Sequence, residues 1–129
     1  MPEVGNMGLP KKLLAKGIVD MVRISDGRMS GTGFGTVVLH VAPEAAVGGN
    51  FAVLQTGDVI TLDVPNRSLT VQLSDDELKR RKENYKPAPP IAHRGYVNLY
   101  VTRVQQANLG ADMDFLVGNS GSKVTRDSH

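Results

Sequence analysis

The chain has 129 residues, of which 40% are hydrophobic and 22% charged, a composition typical of one soluble globular domain. Its 15 Lys and Arg residues barely outnumber its 13 Asp and Glu residues, which argues against nucleic acid as a partner. No apolar run approaches the roughly eighteen residues of a membrane span, and residues 1–12 show no apolar signal core, so a cytoplasmic location is expected. With no Cys in the chain, disulfides, thiolate zinc sites and iron–sulfur ligation by its own residues are excluded.

The first half of the chain is rich in turn-forming residues. The whole sequence has 14 Gly and 7 Pro, which favours strands joined by short loops. With the helices and strands predicted along the chain, we expect a mainly β fold with flanking helices, of the α+β class. Residues 36–41 fit either a buried strand or a helical turn, and periodicity does not separate the two. The other predicted elements are a loop at 1–10, a helix at 11–16, a strand at 18–24, a turn with helical character at 43–50 and a short apolar strand at 51–54.

The second half carries clearer signals. Two alternating segments, 59–64 and 68–73, predict a β-hairpin, with Ile60, Leu62 and Val64 on its more buried face. Ser74 and Glu77 form a capping-box pattern that starts a predicted helix at 75–83. The remaining predicted elements are an extended Pro-rich connector at 86–90, an amphipathic helix from Gly95 that Gly110 terminates, and a last buried strand at 115–118.

A dense glycine cluster follows the predicted strand at 18–24. Its glycines would let backbone amides and hydroxyls approach a ligand closely, and a simple tight turn is the other interpretation. Ser30 could act as a nucleophile or base, with His40 and His93 as candidate partners by elimination. The cluster consists of Gly27, Gly31, Gly33 and Gly35, interleaved with Arg28, Ser30 and Thr32.

Two further charged features are less specific. Glu3 lies in a Gly- and Pro-containing loop, where it could give one oxygen to a hard cation such as Mg²⁺ or be a solvated acid. The charge run at 79–83 is typical of a solvated helix face rather than a binding patch.

Long segments of the sequence resemble a known enzyme family. The motif SDGRMSGT, followed by VAPEAA and then by GDVITLDV, is similar to the C-terminal part of the dihydroxy-acid and sugar-acid dehydratases. The resemblance covers essentially the whole chain. The closing residues 126–129, RDSH, resemble the sugar-acid (pentonate, arabinonate-type) branch more than the branched-chain amino acid branch.

The resemblance implies a hydro-lyase that converts a 2,3-dihydroxy acid into a 2-keto acid. In that family an N-terminal domain holds an iron–sulfur cluster beside a Mg²⁺, and the C-terminal domain is a swivelling β/β/α barrel that covers the site. The resemblance assigns Glu3 to the Mg²⁺, Ser30 to the alkoxide base and Thr32 to its support. Arg28, Gly31 and Gly33 then fall where the turn meets the substrate.

The chain departs from that family pattern in ways that change the expected function. It has no Cys and begins inside the glutamate motif, so we expect residues 1–129 to form a single C-terminal domain without the first strands of the barrel. Such a chain should be inactive alone and should need the N-terminal domain or subunit as partner, with homo-oligomers expected. The alternative is a non-catalytic, stand-alone barrel that binds a small acid or a partner protein.

Overall fold

A computed structural model describes residues 7–29 and 34–118 of the chain. The chain divides into two units, Met1–Pro89 and Pro90–His129. The boundary falls in the predicted Pro-rich connector, whose residues can continue neither a helix nor a central strand. Across the described ranges, no helix is long and apolar enough to cross a membrane.

The first unit begins with helix α1, Lys11–Leu14, and a short parallel strand pair. Pro10 precedes the helix, and Gly17 ends the following turn with a φ of 76°, as the sequence predicts. Strand β1, Arg23–Ile24, pairs in parallel with β2, Val37–Val38. The strand predicted at 18–24 is therefore confined to its last two residues, and the open choice at 36–41 resolves as a strand.

A 3-10 helical stretch follows the strand pair. The segments Ala45–Val47 and Asn50–Val53 are both 3-10 helices, so the helical turn expected within 43–50 is confirmed. The strand expected at 51–54 is wrong. Its apolar run is short and follows a turn, and periodicity alone does not distinguish a strand from a helical turn in such a run.

The hairpin and the next helix agree best with the sequence. Strand β3, Ile60–Asp63, pairs antiparallel with β4, Ser68–Val71, with Asp63 opposite Ser68. Helix α2 spans Asp75–Asn84, and the Ser74 hydroxyl accepts the amide of Glu77 at 3.2 Å. The predicted burial is wrong at Val64, which is 70% exposed, because it lies in the turn beyond the last paired residue of β3. Ile60 is exposed too, at 37%, and Leu62 is half-buried.

The second unit contains helix α3, Gly95–Arg103, and a 3-10 turn at Ala107–Leu109. An isolated antiparallel bridge joins Val104 to Met113. The helix predicted to run to Gly110 thus ends earlier, at Arg103. The buried strand predicted at 115–118 is wrong, because these residues form no strand and Phe115, Leu116 and Val117 are exposed.

The fold belongs to the α+β class, with two two-stranded sheets in the described residues. Those sheets are smaller than the sequence predicts, and helical residues outnumber strand residues. Of the hydrophobic side chains described, only Met29 and Val53 are buried. Met29 lies within the glycine cluster, so the loop that carries the cluster holds one of the two buried hydrophobic side chains among the described residues.

Candidate functional site

The glycine cluster lies on the loop that connects β1 to β2. Arg28 is the predicted site residue that the structure describes; Glu3, Ser30, Gly31, Thr32 and Gly33 lie outside the described residues. The site is therefore defined by the two flanks of residues 30–33, which end at Met29 and begin again at Phe34.

The leading flank is braced by the segment that carries the VAPEAA motif. The Ala45 amide donates to the Asp26 carboxylate at 2.6 Å. The Arg28 guanidinium donates to the Glu44 carboxylate at 2.7 Å, and its side chain is only 5% exposed. Two charged residues of one motif, Asp26 and Arg28, thus bond to two consecutive residues of the other, Glu44 and Ala45.

His40 bonds to the backbone of Met29 on the leading flank. Its Nε2 lies 3.1 Å from the Met29 carbonyl oxygen, and because a carbonyl only accepts, Nε2 carries the proton in this contact. The His40 amide also donates to the Gly27 carbonyl at 3.4 Å. His40 therefore holds the leading flank, while His93 belongs to the second unit.

The trailing flank is held by Asp20 and Arg23. The Asp20 carboxylate accepts the Thr36 amide at 3.0 Å and the Thr36 hydroxyl at 2.9 Å. These two bonds, the amide first, lower the pKa of Asp20. The Arg23 guanidinium donates to the carbonyl oxygens of Phe34 and Met7, so Phe34, like Met29, has its carbonyl oxygen bonded to a side chain.

Sequence reasoning missed Asp20, Arg23 and Glu44 as parts of this arrangement. A signal for the first two was present, because they are the two charged residues in the otherwise apolar segment IVDMVRI. A charge on the buried side of such a segment needs a partner. Glu44 lies in the VAPEAA motif that the resemblance rests on, but its partner Arg28 is 16 residues away, so the sequence does not show the pairing.

Metal ligation by the described residues is not supported. Within 7–29 and 34–118, no group of three or more His, Cys, Asp or Glu side chains could hold an ion. Because the chain has no Cys, the thiolates of an iron–sulfur cluster would have to come from elsewhere. The described side chains of this site are suited to hydrogen bonding, charge and backbone positioning.

A separate cavity of about 450 Å³ lies elsewhere in the first unit. Apolar residues of the 3-10 stretch, the hairpin and α2 line it, among them Phe51, Leu69 and Leu78. Arg28, the predicted site residue that the structure describes, does not line this cavity, whose lining is mostly apolar and also includes Asp75 and Lys82.

Comparison with known proteins decides the family. The family described as Dihydroxy-acid/6-phosphogluconate dehydratase C-terminal matches residues 1–111. The chain belongs to this dehydratase family. Family membership confirms the resemblance drawn from SDGRMSGT and VAPEAA, the two motifs that the structure shows bonded to each other.

The dehydratase relatives are much longer than this chain. The L-arabinonate dehydratase of Rhizobium leguminosarum is 58% identical over 129 residues, which are 100% of this chain and 22% of that protein. The L-arabonate dehydratase of Azospirillum brasilense is 55% identical and is covered to 23%. A dihydroxy-acid dehydratase of Lachnoclostridium phytofermentans is 46% identical over 91 residues, 70% of this chain and 16% of that protein. The chain thus spans about a fifth of the sugar-acid dehydratases that it matches over its full length.

Proposed function

We propose that the chain forms the C-terminal part of a sugar-acid dehydratase active site, with L-arabinonate as the first candidate substrate. Membership in the dehydratase family and the similarity to two arabinonate-type enzymes support this substrate class. The observation that carries the proposal is the bracing of both flanks of residues 30–33, since catalytic groups must be held in fixed positions.

In this proposal Ser30 is the base. Its alkoxide takes the proton from C2 of the 2,3-dihydroxy acid, the hydroxide departs from C3, and the resulting enol tautomerises to the 2-keto acid. Thr32 donates a hydrogen bond to the Ser30 oxygen and so favours its charged form. Gly31 and Gly33 leave room for the sugar acid, and their backbone amides supply donors.

Arg28 is proposed as a substrate-binding residue. Because its guanidinium is paired with Glu44 at 2.7 Å, its main contribution in this proposal is to hold the turn next to the substrate.

Glu3 is proposed as a Mg²⁺ ligand. A bound Mg²⁺ and an iron–sulfur cluster, held largely by another domain or subunit, would supply electrophilic assistance to the departing hydroxyl.

The swivelling barrel and the single-domain organisation are also proposals. The short strands β1 to β4 would then be completed by strands from the rest of a longer polypeptide. We propose that this part pairs with an N-terminal domain or subunit. The complete enzyme is proposed to be a homo-oligomer in the cytoplasm.

The test uses the complete polypeptide that contains this chain, assayed with L-arabinonate. We expect Ser30→Ala to lower kcat by about a hundredfold or more, because it removes a general base, and excess Mg²⁺ should not restore it. Glu3→Gln should weaken Mg²⁺ binding and be partly rescued by excess Mg²⁺, because an amide oxygen brings no charge to the ion.

Ser68→Ala, on strand β4 of the hairpin, is the matched control and should keep normal kcat. A Ser30→Ala enzyme with near-normal kcat would remove Ser30 from the reaction and overturn the assignment.

A further inference from the structure

Arg23 is a buried cation whose bonds reach two segments far from it in sequence. Its side chain is 9% exposed. The guanidinium donates from Nη1 to the Met7 carbonyl, from Nη2 to the Phe34 carbonyl, and from Nε to the Met21 carbonyl at 3.3 Å. One side chain therefore fixes three backbone oxygens.

We propose that Arg23 is a positioning residue that fixes the backbone at Met7 and at Phe34 relative to each other. The inference rests on the proposed function. Glu3 precedes Met7 by four positions, and Ser30 precedes Phe34 by four positions. Arg23 thereby anchors the two described residues that follow the proposed metal ligand and the proposed base, each by four positions along the chain.

The chemistry of the guanidinium suits this coupling. Arg presents five N–H donors in a rigid planar fork, so two ends of the fork can serve two carbonyls in fixed directions. Lys carries the same charge on one flexible ammonium and lacks that fork. Arg23→Lys therefore keeps the charge but loses the fixed separation between the two backbone segments.

The surroundings of Arg23 hold the fork in place. Asp20 Oδ1 lies 3.6 Å from Arg23 Nη2, and the same carboxylate binds the amide and hydroxyl of Thr36. The Arg23 amide donates to the Thr36 carbonyl at 3.0 Å as part of the β1–β2 pairing. The guanidinium is thus anchored to the sheet on one side and to both loops on the other.

Gly35 shows that this arrangement leaves no spare volume. A Cβ at Gly35 would overlap the Asp20 carboxylate and lie 2.9 Å from Arg23 Nη2. Its φ of 81° is also one that other residues rarely adopt. The backbone next to Phe34 therefore lies so close to the Asp20–Arg23 pair that a residue with a side chain at position 35 would overlap it.

The experiment compares Arg23→Lys with Arg81→Lys in the complete polypeptide. Arg81 is a matched control because it is similarly buried, at 12% exposed, but donates mainly to the carboxylates of Asp58 and Glu77. Hydrogen exchange is measured on peptides that contain Met7 and Phe34. Arg23→Lys should raise exchange in both peptides by about tenfold, the loss of one charge-assisted hydrogen bond, whereas Arg81→Lys should change neither.

Kinetics with L-arabinonate then test the link to catalysis. Arg23→Lys should lower kcat by about a hundredfold, with a smaller change in KM, and Arg81→Lys should keep kcat. In a Ser30→Ala background, Arg23→Lys should cause little further loss, because residues that act as a unit are non-additive. A purely structural residue would give additive losses.

The outcomes separate this inference from the proposed function. If exchange rises in one peptide only or in neither, Arg23 does not couple the two segments. If exchange rises in both peptides while kcat is unchanged, Arg23 couples the segments but does not position catalytic groups. If Ser30→Ala keeps its activity, the proposed base is wrong, while the exchange result still decides the link between Met7 and Phe34. If Arg23→Lys does not fold, Asp20→Asn replaces it, because this carboxylate lies beside the guanidinium and is 42% exposed. Asp20→Asn should then raise exchange in both the Met7 and the Phe34 peptides, by less than tenfold.

Discussion

Gly49 shows how closely the VAPEAA segment folds back on itself. Its amide donates to the Glu44 carbonyl at 2.9 Å. A Cβ at this position would overlap the Pro43 carbonyl oxygen and lie 2.6 Å from the Pro43 carbonyl carbon. Both atoms belong to the backbone, so they cannot move aside as a flexible side chain would.

We therefore expect Gly49→Ala to lower the thermal unfolding midpoint clearly more than Gly48→Ala. A Cβ at Gly48 meets nothing within 4 Å, so Gly48→Ala should cost only the strain of a left-handed residue, about 1–2 kcal/mol. Differential scanning calorimetry of the two variants in the complete polypeptide makes the comparison. Equal shifts would mean that the turn yields easily and does not brace Glu44.

At the same scale, sequence reasoning found the loop but not what holds it. The glycines and the motifs around Ser30 are local patterns, which a sequence displays directly. The contacts of Arg23 with Met7 and Phe34 depend on which distant carbonyls the fold presents, and backbone carbonyls leave no mark in a sequence.

Helix α2 is the element that the sequence predicts best. Its charged residues are not all solvated as predicted, because Arg80 and Arg81 form ion pairs with Glu77 and Arg81 forms one with Asp58. Glu77 accepts bonds from Arg80 and Arg81, both at 2.7 Å. The Arg81 guanidinium also binds Asp58 at 2.6 Å and the Val53 carbonyl at 3.2 Å. Part of the charge run at 79–83 therefore ties the helix to the 3-10 stretch and to the turn before the hairpin.

This network predicts a stability that depends on pH. The bonds from Arg80 and then Arg81 hold the pKa of Glu77 at about 2, against 4.5 for an ordinary glutamate. Because the folded pKa is lowered, the stabilisation is fully present above about pH 4.5 and is lost as the pH falls towards 2. The hydrogen bonds from Arg81 and from the Gln55 amide also lower the pKa of Asp58. The stabilisation by Asp58 is therefore also lost as the pH falls.

The difference in unfolding midpoint between the native protein and Glu77→Gln should therefore shrink as the pH falls from 5 towards 2. Glu83→Gln changes an exposed carboxylate on the same helix and is the control. If the difference in unfolding midpoint stays constant between pH 5 and pH 2, the charge of Glu77 does not stabilise the folded protein.

The elements that sequence patterns predicted correctly are those with strong local signals. The capping residue Ser74, the alternation in β3 and β4 and the breaking effect of the Pro-rich connector each act within a few residues. The expected strands at 51–54 and 115–118 failed because an apolar run of a few residues forms a strand only when a neighbouring strand accepts its hydrogen bonds.

For the whole molecule, the notable property is how much apolar side-chain surface is exposed. In the first unit Val19 is 68%, Phe34 77% and Val47 61% exposed, and large apolar side chains exposed in number are a common mark of surfaces that another part of a protein covers. The relatives that the chain matches over its full length are much longer, since it spans 22% of one and 23% of another. A longer polypeptide would have ample surface to cover these residues.

We expect the isolated chain to bind no iron or sulfide and to show no turnover of L-arabinonate. It has no Cys, and without a Lewis acid the C3 hydroxyl leaves too slowly. Metal analysis and a keto-acid assay on the purified chain test this, with the complete polypeptide as positive control. Measurable turnover by the chain alone would contradict it.

The bonds that brace the glycine loop also have a consequence for the order of folding. Their partners are separated by only 11 to 19 residues, and all of them lie between Met7 and Ala45. Loop closures of this length are fast compared with the docking of domains, which takes milliseconds to minutes. The flanks of residues 30–33 can therefore take their final positions early, and a distant part of a longer polypeptide would meet a half-site that is already shaped.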